Sequence, residues 1–190
     1  MNRRVCLAVV SLAILLDATP ALAAGSYAGP RGGHSLSFWG VFDAGGPGCV
    51  GLGMRLTLPL VPEGVLRHPT IKDEFVLELG ADFVHYGAQV GFYPYSIDYT
   101  WNGVLPVVGA AWNVWFTPRF AIYPKLDLGY WIGWWGGWNT YYGTTYGYVR
   151  PSYGGFFVQG ALGFIYRLDF VALRAELGTG LLRLGVAFQF

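Results

Sequence analysis

Most of this chain alternates apolar residues with small or polar ones, and the alternation has a period of two. Between residues 50 and 60 the apolar positions are Val50, Leu52, Met54, Leu56, Leu58 and Leu60. Between them stand Gly51, Gly53, Arg55 and Thr57. Successive side chains of a β-strand point to opposite faces, so this segment predicts a strand with one wholly apolar face. The pattern recurs near residues 35–43, 75–83, 104–116, 120–134, 156–167, 171–178 and 182–190. The sequence therefore predicts an all-β fold with about eight strands.

Charged residues within the predicted strands fall on the face opposite to the apolar one. Five are acidic and five are basic, and they are Asp43, Arg55, Glu78, Asp82, Lys125, Asp127, Arg167, Arg174, Glu176 and Arg183. A charge that faces hydrocarbon at mid-depth costs roughly 2–4 kcal/mol. The pattern thus favours a single antiparallel up-and-down transmembrane β-barrel, with its apolar face towards lipid and a network of paired charges in its lumen. A secreted soluble β-barrel that binds a small apolar ligand is the alternative from a different class.

Composition supports a membrane barrel. Hydrophobic residues make up 54% of the 190 residues and charged residues only 12%, about half the charged share of a typical soluble protein. No segment approaches the 18 consecutive apolar residues of a transmembrane helix. The net charge of +1 gives no reason to expect a nucleic-acid partner.

The N-terminus predicts export. Arg3 and Arg4 precede a short apolar run, and 21–23 reads Ala-Leu-Ala, which is a small-x-small cleavage site. We therefore expect a signal peptide over residues 1–23, cleaved near Ala23, and a barrel domain over residues 24–190. Cleavage would leave Cys49 as the only cysteine, so no internal disulfide can form.

The chain stops on an aromatic residue that follows apolar residues at alternate positions, Leu184, Val186, Phe188 and Phe190. This ending resembles the sorting signal of bacterial outer-membrane β-barrels, and the strand plan is similar to that of the small, eight-stranded families. The resemblance implies location in a Gram-negative outer membrane, a lipid bilayer as surroundings, and recognition of the C-terminal strand by the outer-membrane insertion machinery.

Connections and aromatic residues agree with this interpretation. Long loops are predicted over 87–103 and 135–154 on the outer side, and short turns over 117–119 and 168–169 on the periplasmic side, as in membrane barrels. Apolar-face aromatics form two predicted girdles at the interfaces: Phe75, Phe116, Phe120, Tyr166 and Phe190 near the periplasm, and Phe42, Phe83, Trp134 and Phe156 near the outside.

The long periplasmic connection over 61–74 departs from the pattern. Pro124 predicts a bulge, or a strand that starts just after it.

The outer loops and the lumen carry the functional alternatives. Trp138, Tyr141 and Tyr142 could stack on a surface polysaccharide or adhere to a protein, or they could be interfacial packing. An eight-stranded interior is just wide enough for its own side chains, so we expect a plugged lumen, with a narrow porin-like channel as the alternative. No motif predicts catalysis, a metal site or a cofactor, and His34, His68 and His85 are predicted to lie in loops or at rims. The expected role is structural or surface-interacting, and not enzymatic.

Overall fold

The computed structural model describes residues 33–43, 48–66, 68, 70–92, 95–141 and 144–190. Eight strands form, and they are β1 (Ser35–Asp43), β2 (Cys49–Val61), β3 (Lys72–Phe92), β4 (Tyr95–Trp115), β5 (Phe120–Tyr141), β6 (Thr144–Leu168), β7 (Val171–Gly178) and β8 (Leu181–Gln189). The predicted signal peptide over residues 1–23 lies outside the described residues. No helix in the described ranges is long and apolar enough to cross a bilayer.

The strands form one closed antiparallel barrel in chain order, with β8 paired to β1. Closure aligns Ser35 with Gln189 and Phe38 with Val186. Because both edge strands are paired with each other, the ring has no free edge. The predicted fold class, a single up-and-down barrel of eight strands, is confirmed.

Alternating burial fixes which face of each strand is inside. On β5, Ala121, Tyr123, Lys125 and Asp127 are buried, while Ile122, Leu126 and Leu128 between them are exposed. The charged and small residues therefore face the lumen and the aliphatic residues face outward. Apart from Asp73 at one rim, the outward positions of the described strands between the two rims carry no Asp, Glu, Lys or Arg.

The two ends of the barrel differ. Residues His34 and Phe190 lie together at one end, where the Phe190 amide donates to the His34 carbonyl at 3.0 Å; we call this the terminal end. At the other end β3, β4, β5 and β6 continue as a four-stranded sheet beyond the shorter strands, and we call this sheet the extension. These four strands have 21 to 25 residues, whereas 9–11 suffice to cross a bilayer.

The extension corrects the prediction of long loops over 87–103 and 135–154. β3 and β4 stay paired as far as Phe92 and Tyr95, and β5 and β6 as far as Tyr141 and Thr144. The apolar-polar alternation fades there because both faces carry Tyr, Trp, Gly and Thr, so a period of two has no contrast to reveal it. Paired backbones without amphipathic side chains were therefore mistaken for loops.

Two smaller expectations were also wrong. β3 begins at Lys72, inside the predicted 61–74 connection, so Glu74 is a lumen-facing strand residue. Pro124 lies within β5, exposed, paired with Leu162, and no bulge occurs there. Its missing N–H instead coincides with a gap in the β4–β5 ladder, between the pairs that Lys125 and Ile122 make. The register of the β5–β6 pair shifts by one residue between the pairs that Gly133 and Trp135 make.

Inward glycines make room for large lumen side chains. A Cβ at Gly163 would collide with the Tyr123 ring, and a Cβ at Gly109 would collide with the Asp127 carboxylate. Gly160 lies on the outward face of β6, the strand that also carries Gly163, and a Cβ at Gly160 would meet nothing within 4 Å. A narrow barrel fills its interior by setting a large side chain against a small one.

Candidate functional site: the lumen and the extension

The barrel interior contains a connected cluster of ion pairs at mid-height. Eight of the ten predicted lumen charges join it, four cations and four carboxylates: Arg55, Lys125, Arg174, Arg183, Glu78, Asp82, Asp127 and Glu176. All eight are buried. We call this set the ion cluster, and its formal charges cancel.

Glu78 is the most tightly paired member of the ion cluster. Its two carboxylate oxygens lie 2.6 Å from Lys125 Nζ and 2.6 Å from an Arg174 guanidinium nitrogen. These residues come from β3, β5 and β7, so the contacts cross the lumen. Buried charges of this kind persist only when they are paired.

A second group of contacts ties β8 to the same network. Arg183 lies 3.1 Å from Asp82 and 3.6 Å from Glu176. Arg55 on β2 binds the same Asp82 oxygen at 2.7 Å. The ion cluster therefore links β2, β3, β5, β7 and β8, which include strands that are far apart in the ring.

The remaining two predicted lumen charges lie towards the ends. Asp43 is half-buried at the last position of β1, near the extension. Arg167 lies at the terminal end, with its guanidinium carbon 4.6 Å from the centre of the Trp115 ring. Glu74 also faces the lumen here and accepts from Asn113 Nδ2 at 2.9 Å and Trp115 Nε1 at 3.1 Å.

Buried side chains occupy the lumen between the ion cluster and the terminal end. They are mainly apolar and include Val76, Ala111, Trp115, Ala121, Tyr123 and Ile165. Tyr123 also touches the ion cluster, because its hydroxyl donates to Glu176 at 2.8 Å. A polar cavity of about 30 Å³ remains at this end, which is room enough for at least one water molecule.

An apolar layer lies between the ion cluster and the extension. Val41, Val84 and Leu105 form its buried part, and Trp101 and Trp131 pack against it. The two indole rings stack, with centroids 3.9 Å apart. The sequence interpretation missed this layer because it placed Trp101 in a loop.

The extension exposes large aromatic side chains. Trp138 and Tyr146 are 55% and 64% exposed, and Trp135 is 37% exposed. Trp138 lies directly over Gly147, where a Cβ would come within 2.7 Å of the indole. Of the three predicted loop contacts, Trp138 and Tyr141 belong to β5, the side chain of Tyr141 is not described, and Tyr142 lies outside the described residues.

Aromatic residues on the outer wall occur near both rims. At the terminal end Phe75 stacks on Trp112 with ring centres 5.6 Å apart, and Phe116 packs against Phe120 at 6.4 Å. At the extension end Phe83 packs against Trp134 at 6.4 Å. The other predicted girdle residues, Phe42, Tyr166, Phe156 and Phe190, are exposed or half-buried on the same surface.

The histidines do not form a catalytic or metal constellation. The His34 ring lies 6.3 Å from that of Phe190. His68 Nδ1 accepts from the Thr70 and Ile71 amides, and His85 Nδ1 bonds Asn102 at 2.8 Å. Among the described residues, no group of three His, Cys, Asp or Glu side chains could hold a metal ion.

No protein-family model matches this sequence, and no curated protein matches it. Among solved structures, the chain is similar in fold to Ail, the attachment invasion locus protein of Yersinia pestis. The two are 12% identical with a TM-score of 0.43, and the match covers 85% of this chain and 100% of that one. A structure of Ail in complex with the heparin analogue sucrose octasulfate matches with 12% identity, a TM-score of 0.40, and coverage of 83% and 97%.

Proposed function

We propose that this chain is an integral outer-membrane barrel whose lumen is closed and whose function resides in the extension. The observation that carries the proposal is the reversed polarity of the wall. Exposed aliphatic side chains such as Leu52, Leu126 and Leu128 cover the outside, while Glu78, Lys125 and Arg183 are buried within. In water this arrangement would expose a large apolar belt, whereas in a bilayer each side chain meets its preferred surroundings.

Three layers of packed side chains, with one small cavity at the terminal end, support a lumen that does not conduct. The ion cluster lies between the Trp115 and Tyr123 layer and the stacked Trp101 and Trp131. Ion pairing across the barrel leaves no net charge that would attract a permeating ion. In the alternative of a narrow porin-like channel, all three layers would have to shift at the same time.

The export signals set the orientation in this proposal. A signal peptide over residues 1–23, cleaved near Ala23, would deliver the mature chain, residues 24–190, to the periplasm. The C-terminal strand, with outward-facing Leu184, Val186, Phe188 and Phe190, would present the assembly signal to the insertion machinery. The terminal end then faces the periplasm of a Gram-negative cell and the extension faces the outside.

The extension suits recognition of an uncharged surface, such as a polysaccharide, better than electrostatic recognition of a charged one. Residues 86–103 and 135–154 include only two charged residues, Asp98 and Arg150. Exposed Trp and Tyr rings offer large rigid contact area with a polar group at one end, which is typical of binding surfaces. A surface-interaction role is favoured over an enzymatic one because the exposed side chains that the structure describes in the extension are mainly aromatic, and no nucleophile–base pair occurs among them.

Bilayer recordings of the refolded mature chain test the lumen and the membrane assignment together. We expect heat-modifiable migration on gels, dependence on detergent or lipid for solubility, and no large, stable channels. Stable single-channel conductance would contradict the closed lumen and favour the porin-like alternative. A monomer that stays soluble without detergent would favour the soluble ligand-binding barrel.

A separate measurement tests the extension. The variant Trp135→Ala/Trp138→Ala/Tyr146→Ala should lose binding of intact cells or of immobilised neutral polysaccharide. The matched control is Phe156→Ala, which removes an exposed ring from the wall and not from the extension. If wild type and the triple variant bind equally, these rings only pack at the interface.

A further inference from the structure

Residues 65 and 66 of the connection between β2 and β3 are hydrogen-bonded to Asp73 on the outside of the barrel. The Asp73 carboxylate accepts from the Val65 amide at 3.1 Å and from the Leu66 amide at 2.9 Å. It also accepts from Trp112 Nε1 on β4 at 2.8 Å. Asp73 is 2% exposed, so this one carboxylate fastens the connection to the outer wall at the terminal end.

This fastening leaves the aliphatic side chains of the connection exposed. Val65 is 63% exposed and Leu66 is 39% exposed. They follow Leu60, the last outward residue in the apolar row of β2, which is 56% exposed. A connection that served only to join two strands in water would favour polar residues at these positions.

Exposed apolar residues continue from the wall of the barrel through Val61 to Val65 and Leu66, past a register shift between Pro59 and Val61 and one exposed acidic residue, Glu63. Leu56 and Leu58 precede Leu60 on the outward row of β2. Exposed Phe116 and Phe170 lie on the two short connections of the same end. The connection therefore extends the surface that the proposed function assigns to lipid, at the level of the terminal-end aromatics.

We infer that the connection is an interfacial anchor whose partner is the phospholipid of the periplasmic leaflet. Val65 and Leu66 enter the boundary between headgroups and acyl chains, and Asp73 holds their backbone in the required position. The Asp73 carboxylate stays satisfied by three N–H donors at this depth, where an unpaired charge would be costly. This inference rests on the proposed function, because it requires the apolar belt to lie in a membrane.

Site-directed spin labelling of the mature chain in phosphatidylethanolamine–phosphatidylglycerol vesicles tests the inference. Cys49→Ala removes the native thiol, and single cysteines are then placed at Val65, Leu128 or Glu63. For each spin label, the collision rate with oxygen, which dissolves preferentially in lipid, is compared with the collision rate with a water-soluble nickel chelate. Leu128 reports the middle of the belt, and Glu63 is the matched control in the same connection.

We expect the Leu128 label to be deep in lipid, the Val65 label to lie about 5–10 Å below the surface, and the Glu63 label to be in water. A Val65 label as accessible to the nickel chelate as the Glu63 label would overturn the anchor while leaving the membrane barrel intact. A Leu128 label in water would overturn the proposed function and the anchor together.

A second variant tests the role of Asp73. Asp73→Ala should move the Val65 label towards water, whereas the Leu128 label in the same variant should stay in lipid and so show that the barrel is intact. Glu63→Ala should move neither label. An unchanged Val65 depth in Asp73→Ala would show that the carboxylate does not position the anchor. If a periplasmic protein were the true partner, the Val65 label in vesicles alone would remain in water.

Discussion

Glu78→Gln removes the carboxylate on which the ion cluster converges. The wild-type cluster has four cations and four carboxylates, so its formal charge is zero, and the variant changes this to +1. Lys125 and Arg174 each lose an ion pair of 2.6 Å. Both still face Glu176, at 3.3 Å and 3.7 Å, and Lys125 also keeps Asp127 at 3.3 Å. The amide keeps the size of the side chain, so the change is electrostatic and not one of packing.

Removing one partner of a buried ion pair typically costs 3–5 kcal/mol, because the other charge stays buried without compensation. We expect the free energy of unfolding to fall by about 3 kcal/mol, the lower end of that range, since Glu176 and Asp127 still face the stranded cations. The assay is urea unfolding in detergent micelles or vesicles, followed by tryptophan fluorescence and by the heat-modifiable band.

The double variant Glu78→Gln/Lys125→Met provides the decisive comparison. It removes one cation and one carboxylate and so returns the cluster to neutrality, and we expect it to recover most of the lost stability. Glu63→Gln, at an exposed position, should change the free energy of unfolding by less than about 0.5 kcal/mol. A loss of unfolding free energy below about 1 kcal/mol for Glu78→Gln, or a double variant less stable than the single one, would refute the dependence of the cluster on charge balance.

Three other expectations follow from the packing and the termini. Gly163→Ala should lower the free energy of unfolding by about 1–3 kcal/mol in the same assay, because the new methyl group meets the Tyr123 ring. Gly160→Ala, on the outward face of the same strand, should have no measurable effect. Equal effects of the two variants would contradict the inward–outward assignment. Trp101→Ala should leave planar bilayers non-conducting, because the ion cluster beneath it is intact, and new channels would show that the stacked indoles are the seal. Deleting Phe190 should lower the amount of heat-modifiable barrel in outer-membrane fractions of cells, and unchanged assembly would exclude it from the signal.

The number and order of the strands were readable from the chain because each wall segment has two faces of different polarity. Val50 to Leu60 shows this most plainly, since every second residue is aliphatic and the residues between are small or charged. Successive strand residues point to opposite faces, and the hydrophobic effect and the cost of burying charge act on each residue separately. The contrast between the two faces is therefore visible in the sequence as an alternation with a period of two. The ten predicted inward charges followed from the same contrast.

The extension could not be read in this way. Trp101 and Trp135 belong to paired strands, but the residues around them are similar in polarity on both faces. Pairing there depends on partners distant in sequence, which a local pattern does not encode. For the same reason Asp73 and Glu74 were assigned to a connection, although they are the second and third residues of β3.

By itself the sequence determined a barrel with an apolar exterior and charged residues within. The preference of each side chain for the outer or the inner face belongs to that residue and its immediate neighbours. Only the tertiary structure decided which charges meet. Glu78 reaches Arg174 across 96 positions of the chain, and Asp73 joins Trp112 to the Leu66 amide. Closure of the ring brings Glu78 and Arg174 together, and the pairing of β3 with β4 brings Asp73 and Trp112 together. No periodicity along the chain specifies which side chains will meet in this way.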